Sequence, residues 1–309
     1  MFRKTWFADF NLLLVALIWG STFVIVQKAI AFLEPYSFNS VRFSIAAITL
    51  LLIIFLFNRS SLSHFSDRSI WISGIILGFW LFLGYGFQTV GLLYTTSSKA
   101  GFITGLSVVL VPLFSYLLLR NKLSWQVGIS SIIAVIGLYL LTIHNNLSLN
   151  VGDGYVLLCA ISFALHIVFT GKFSSSYNAI CLTVIQLLTV AAFSFITAMM
   201  MEDWQQMFTA KLVQHPEVIS ALLITSFFAT ALAFLAQTHF QSFTTPARVA
   251  LIFAMEPVFA ALTAYIMLNE RMGSKSLFGC GLILLGMVLS EIKFNKRFIK
   301  RKQKEWDLT

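Results

Sequence analysis

Ten apolar runs separated by short polar connections constrain this chain more than any other feature. About twenty apolar residues in helical form match the hydrocarbon thickness of a bilayer. The runs lie at about Phe10 to Leu33, Tyr36 to Phe57, Ile70 to Tyr94, Ser97 to Leu119 and Trp125 to His144, then at about Gly154 to Lys172, Asn178 to Met201, Val218 to Phe240, Pro246 to Leu268 and Ser274 to Ile292. Composition agrees: 58% of the 309 residues are apolar and 11% are charged, far below the roughly 25% charged residues of soluble domains. The mean hydropathy is +0.87. The expected fold class is an all-α integral membrane protein with ten transmembrane helices. No segment outside the runs is long enough to build a separate core, which excludes extramembrane domains. The first run follows Arg3 and Lys4 as a signal peptide would. Its apolar stretch exceeds the roughly 7–15 residues of such a segment and no A-x-A site follows, so it is expected to stay in the mature protein.

The formal charge of +9 does not point to nucleic acid, because seven of the 21 cations crowd between Lys293 and Lys304. A basic tail of this kind is held on the cytoplasmic side beside anionic lipid. Arg3, Lys4, Arg59, Arg68, Arg120, Lys122, Lys172, Arg248 and the tail fall on one side of the membrane. Only Lys99, Lys211, Arg271 and Lys275 fall on the other, so both termini are expected in the cytoplasm. Cys159, Cys181 and Cys280 lie inside apolar runs without CxxC or Cys/His spacing, which leaves no disulfide framework and no zinc site to read. No cofactor is expected.

The chain also repeats itself. At an offset of 149, Gln88 and Thr89 align with Gln237 and Thr238, Thr95 and Thr96 with Thr244 and Thr245, Lys99 with Arg248, Tyr116 with Tyr265 and Gly137 with Gly286. At an offset of 144, Ala16 aligns with Ala160, Val24 with Val168, Lys28 with Lys172 and Arg42 with Gln186. The reading is two related five-helix units over residues 10–144 and 154–292, followed by the basic cytoplasmic tail 293–309. Five is odd, so the second unit starts on the opposite side of the membrane from the first. Such inverted repeats build many secondary transporters, whose binding sites lie near mid-depth at the repeat interface.

Several local motifs carry a family resemblance. They are Ile18-Trp19-Gly20-Ser21-Thr22-Phe23, Val41-Arg42-Phe43, Ser98-Lys99-Ala100-Gly101-Phe102-Ile103, Met255-Glu256-Pro257-Val258 and Asn269-Glu270-Arg271-Met272. In this order, as two tandem modules over about Leu12 to Leu289, they resemble the EamA-type drug/metabolite transporter superfamily. The resemblance implies ten helices and the export, less often import, of small metabolites, with a bacterial plasma membrane as the home. The small multidrug subgroup carries an essential Glu in its first helix, and the first run here has none, so the drug/proton exchange of that subgroup is not implied.

At 1.5 Å rise per residue, polar side chains can be given a depth. Trp19, Ser21 and Thr22 of the first run and His166 of the sixth fall near mid-membrane, and Ser107 and Glu256 meet at a common level. The repeat equates Thr22 with His166 and Ser107 with Glu256. These six residues are the expected substrate-binding set, with packing in the bundle core the competing reading for Trp19 and His166. A carboxylate in hydrocarbon is expensive and faces a cavity or the bundle interior. Glu256 therefore either binds a cationic group, takes up a proton, or braces the bend at Pro257. Lys28, Arg42 and Gln88 lie nearer the outer face and their counterparts Lys172, Gln186 and Gln237 nearer the inner face, which suggests two gate layers. Snorkelling to headgroups is the competing reading for the two lysines. Lys99 and Arg248 open runs four and nine as interfacial anchors or entry contacts for an anionic substrate. The Gly74-xxx-Gly78 and Gly101-xxx-Gly105 spacings permit close helix approach and leave a homodimer open.

The expected function is a secondary transporter that moves a small polar or amphipathic metabolite outward by alternating access, by proton coupling or by exchange. Its partners are the bilayer and a small molecule, without nucleic acid. There is no GxxxxGK[ST] phosphate loop, HExxH or GxSxG, and His64, His144, His166, His215 and His239 are scattered, which argues against ATP drive and against an enzyme. A scaffold or receptor without transport is the alternative, with an intramembrane lipid-acting enzyme behind it.

Overall fold

The computed structural model describes residues 2–121, 124–142, 150–208, 216–268 and 273–291, and every regular element in them is helical. The tail after 291 and the Asn269–Met272 motif lie outside the described residues. The helices are α1 (Phe2–Ala29), α2 (Pro35–Phe57), α3 (Arg68–Gly91), α4 (Ser97–Gly105), α5 (Ser107–Leu119), α6 (Trp125–Thr142), α7 (Val151–Phe173) and α8 (Ala179–Met201). After them come α9 (Pro216–Gln241), α10 (Pro246–Phe253), α11 (Glu256–Leu268) and α12 (Ser274–Glu291). Among the described residues, eight helical stretches are long and apolar enough to cross a membrane, with α4–α5 and α10–α11 each counted as one. The apolar parts of α6 and α12, Trp125–Leu141 and Ser274–Ser290, are shorter.

Local chemistry sets the helix starts. The Thr96 and Thr245 hydroxyls accept from the amides of Lys99 and Arg248 at the heads of α4 and α10, and Asn178 does the same for Cys181 at the head of α8. Asn150 and Asp153 form a reciprocal capping box on α7. Helix α1 begins several residues before the expected Phe10, because Arg3 to Asp9 extend it beyond the purely apolar stretch.

Runs four and nine are not single helices. Each is interrupted by a tight turn, at Leu106 between α4 and α5 and at Ala254–Met255 between α10 and α11. The interruptions coincide at the offset of 149, and they put Ser107 and Glu256 at the first positions of α5 and α11. Pro112 inside α5 cannot donate to the Val108 carbonyl, and the Ser131 hydroxyl fills that acceptor at 3.1 Å.

Packing follows the repeat. Helix α2 runs antiparallel to α8. At one end the Tyr36 and Ser37 amides and the Ser37 hydroxyl donate to the Glu202 carboxylate at 2.7 Å, and at the other Ser61 meets Asn178 and Cys181. Helix α6 runs antiparallel to α12, with Gly137 against Gly279 and Ser130 against Gly286. Helix α1 packs on α11 as α7 packs on α5, and α3 on α7 as α9 on α1. The core between α2, α3 and α8 is formed by residues such as Phe43, Leu50, Leu77, Leu182 and Ile185. Large apolar side chains cover the outside instead: Phe57 is 83% exposed, Met200 79% and Ile266 73%. An exterior this apolar is tolerated in lipid and not in water.

The α6–α12 seam yields a stability prediction. A Cβ on Gly137 would lie 2.7 Å from the Gly279 carbonyl oxygen and 2.8 Å from the Ile283 nitrogen. Both obstacles are backbone atoms, so no rotamer change relieves them. Gly137→Ala is expected to lose about 1–3 kcal/mol, the usual cost of overpacking. Thermal unfolding in detergent checks this, with Gly128→Ala as the control, since nothing lies within 4 Å of a Cβ there.

Candidate functional site

The helices enclose a cavity of about 610 Å³ between the two halves. Its wall is aromatic at mid-depth, and the repeat explains how. Trp19 and Phe163 are equivalent at the offset of 144, and Tyr85 and Phe234 at 149. Trp19 packs on Phe234 with ring centroids 5.3 Å apart, and Phe163 packs on Tyr85 at 5.2 Å. Phe253 adds an edge contact to Trp19 at 5.0 Å. The Trp19 indole N–H donates to the Ala229 carbonyl at 2.8 Å, which fixes the ring. That carbonyl belongs to a widened π-helical turn over Thr225–Leu232 in α9, a local geometry often found at functional sites.

Five of the six expected binding residues lie on the wall: Trp19, Thr22, Ser107, His166 and Glu256. Ser21 does not; its hydroxyl faces α11 and lies 3.2 Å from that of Thr263. Thr22 bonds back to the Ile18 and Trp19 carbonyls at 3.0 and 3.1 Å. The His166 Nε2 lies 2.9 Å from the Gln186 Oε1, and the Gln186 amide donates to the Thr238 hydroxyl at 3.1 Å. Glu256 has no hydrogen bond or ion pair within 4.0 Å to another described side chain. At the first position of α11 its carboxylate sits at the positive end of the helix dipole.

Of the expected gate residues, Arg42, Gln88 and Gln237 also line the cavity, while Gln186 is buried behind the wall. Lys28 and Lys172 are exposed and away from it. Arg42 is 2% exposed. Its Nε donates to Thr230 Oγ1 at 2.6 Å and its Nη2 to the Ala229 carbonyl at 3.4 Å. The guanidinium also lies over the Tyr85 ring, 4.9 Å from its centroid.

The cavity is asymmetric in depth. Its lining runs from mid-membrane to Gln27 near the end of α1 and to Thr95 and Thr96 before α4, and Thr96 is exposed. At the opposite end the counterparts of Gln27 and Leu92 are packed against their neighbours, while Thr245, the counterpart of Thr96, is exposed as Thr96 is. A Cβ on Gly171, the counterpart of Gln27, would lie 2.6 Å from Pro246. Buried Gln241, the counterpart of the lining residue Leu92, donates to the Ile167 carbonyl at 2.6 Å.

Lys99 and Arg248 have acidic partners that sequence reasoning missed. Arg248 Nη2 meets Asp9 Oδ2 at 2.6 Å, and Lys99 Nζ meets Asp153 Oδ2 at 3.6 Å. Asp153 further accepts from the Thr95 hydroxyl at 2.6 Å. The signal was present, since Asp9 and Asp153 match at the same offset of 144 as Lys28 and Lys172. Each ion pair joins the first helix of one half to the fourth span of the other. The spacings proposed for close approach are spent within the chain, with Gly74 against Ile185, Gly78 against Thr189 and Gly105 against Leu138. They supply no argument for a homodimer.

A polytopic helical membrane protein with a polar chamber between two similar halves is the class these features define. The comparisons agree with it and narrow it. The chain belongs to the EamA-like transporter family, whose model matches it twice, over residues 6–143 and 150–291. A protein from Archaeoglobus fulgidus described as an uncharacterized transporter is 36% identical over 290 residues, covering 94% of this chain and 87% of that one. The uncharacterized transporters YvbV and YoaV of Bacillus subtilis are 26% and 24% identical, covering 90% and 92% of this chain and 90% and 96% of their own lengths. A crystal structure 17% identical in sequence superposes with a TM-score of 0.74, covering 90% of this chain and 94% of that one, which shows the same fold. The chain is thus a multi-pass membrane protein of a transporter family.

Proposed function

We propose that this protein is a secondary transporter that exports a small polar or amphipathic metabolite by alternating access. The carrying observation is a cavity that reaches one face through Gln27 and Leu92, while their repeat counterparts Gly171 and Gln241 at the other face are packed against Pro246 and Ile167. Two units with ten spans in all, 10–144 and 154–292, in inverted orientation, make the two ends interchangeable. The antiparallel runs of α2 against α8 and of α6 against α12 support this, because the members of each pair are repeat counterparts. The charge bias supports termini and a basic tail, 293–309, in the cytoplasm, with the cavity open to the exterior; the membrane is the plasma membrane of a bacterium, on the family resemblance. Trp19, Thr22, Ser107, His166 and Glu256 bind the cargo. Gln88 belongs to the outer gate, and Gln186 and Gln237 to the inner one. Lys28 and Lys172 anchor at headgroups. Glu256 is the site of proton coupling. The partners are lipid and a small-molecule cargo, without nucleic acid.

Counterflow tests the reading. Proteoliposomes loaded with a mixed pool of amino acids and other metabolites are expected to accumulate a labelled member of that pool by exchange. Folded protein that exchanges nothing from any pool would instead be a scaffold or receptor.

A further inference from the structure

Arg42 is a buried cation whose visible partners are all neutral: a hydroxyl, a backbone carbonyl and two aromatic rings, Tyr85 and Phe43. Among the described residues no carboxylate lies within 4.0 Å of it; the ion pairs found are Lys99–Asp153 and Arg248–Asp9. Glu256, the acid in the cavity wall, does not pair with it. A guanidinium offers five N–H donors in a planar fork suited to a carboxylate, and a buried charge is costly without a counter-charge.

The repeat supplies an internal control. At the matching position the other half carries Gln186, which is neutral, bonded on both ends to His166 and Thr238, and set behind the wall. That half has closed its polar group upon itself, whereas the first half aims a charge at the chamber. The anchorage is one-sided as well. Arg42 is held by Ala229 and Thr230 in the π-helical turn, and the equivalent stretch of α3, around Trp80 and Leu81, is ordinary α-helix. Around the guanidinium the wall is aromatic, with Tyr85, Trp19 and Phe234.

We infer that Arg42 is the anion-recognition group of the cavity, and that the cargo is an organic anion whose carboxylate pairs with Arg42 while its apolar or aromatic body packs against Trp19, Tyr85 and Phe234. The inference rests on the transporter reading for the word cargo, but it concerns binding and is tested without transport.

Three matched probes decide it: 3-phenylpropionate, 3-phenylpropanamide and phenethylamine, which share a body and differ in charge. Each is titrated against thermal unfolding of the purified full chain in detergent, where a ligand that binds the folded state raises the midpoint. The propionate is expected to stabilise, and the amide and the amine are not. Arg42→Gln, which copies the other half, is expected to weaken propionate binding about tenfold or more, as for loss of a charge-assisted hydrogen bond. Arg42→Lys keeps the charge but not the fork and is expected to fall between. Lys172→Gln removes a charge from an exposed position away from the chamber and is expected to bind the propionate as tightly as wild type.

Equal stabilisation by the amide or the amine overturns the proposal, as does no shift with any probe, or an Arg42→Gln protein that binds like wild type. Loss of binding in Lys172→Gln equal to that in Arg42→Gln also overturns it, as general collapse of the protein. Should Arg42→Gln fail to fold, Arg42→Lys carries the test: undiminished propionate affinity in it refutes recognition by the fork. Propionate binding without counterflow would sink the transporter reading and leave this one standing; counterflow of neutral or cationic cargo alone would do the reverse.

Discussion

Glu256→Gln is expected to abolish uptake driven by a pH gradient while exchange without a gradient continues. The substitution keeps the size of the side chain and removes only its ability to carry charge and a proton. The close approach of α1 to this point is made by its backbone: a Cβ on Gly20 would run into the Glu256 carbonyl oxygen, so α1 and α11 already touch there without the carboxyl. Folding should therefore survive. An intramembrane acid on a cavity wall, free of ion pairs with described residues, is suited to alternate between proton and cargo. Uptake measured at several external pH values, beside counterflow at symmetric pH, separates the two activities. An unchanged pH dependence in the variant would remove Glu256 from the coupling step and leave it the role of bracing Pro257.

Reversal of Arg248 should have the next largest effect. Arg248→Asp sets a second carboxylate against Asp9, whose side chain is 8% exposed, in place of a contact of 2.6 Å. The expected loss is about 1–3 kcal/mol, between the values for exposed and fully buried pairs. Transport should fall with it, because this contact ties the two halves together on the sealed face. Exchanging the charges, Asp9→Arg with Arg248→Asp, should recover most of the stability, and a double-mutant cycle gives the coupling directly. The matching change on the other face, Lys99→Asp, should cost less. Its contact is 3.6 Å, and Asp153 keeps its bonds to Thr95 and to the Asn150 amide. Additive single effects in the exchanged pair would deny the contact any role in holding the halves.

Depth was legible in this sequence and direction around the helix was not. Counting residues along an apolar run gives a level, and Trp19, Thr22, Ser107, His166 and Glu256 do share a wall. Helices surrounded by lipid on one side and protein on the other are apolar all round, so no polar stripe reveals which way a residue points. Ser21 and Thr22 differ by one residue and about 100° of rotation, and only Thr22 reaches the chamber. The same blindness hid Tyr85, Phe163 and Phe234 among 31 phenylalanines and 8 tyrosines, most of which could as well face lipid. Asp9 and Asp153 were within reach, since the offset that pairs the lysines also pairs them. The π-helical turn of α9 leaves no mark in composition, and with it the seat of Arg42 was invisible.

The matched turns at Leu106 and at Ala254–Met255 carry one more consequence. A rod with a tightened joint halfway along can flex there cheaply, since regular hydrogen bonding is already disturbed at that level. The limb above each joint can then swing while the limb below stays docked. Opening to either compartment would thus need only short levers to tilt, and the oily perimeter of the molecule could keep nearly the same outline throughout the cycle.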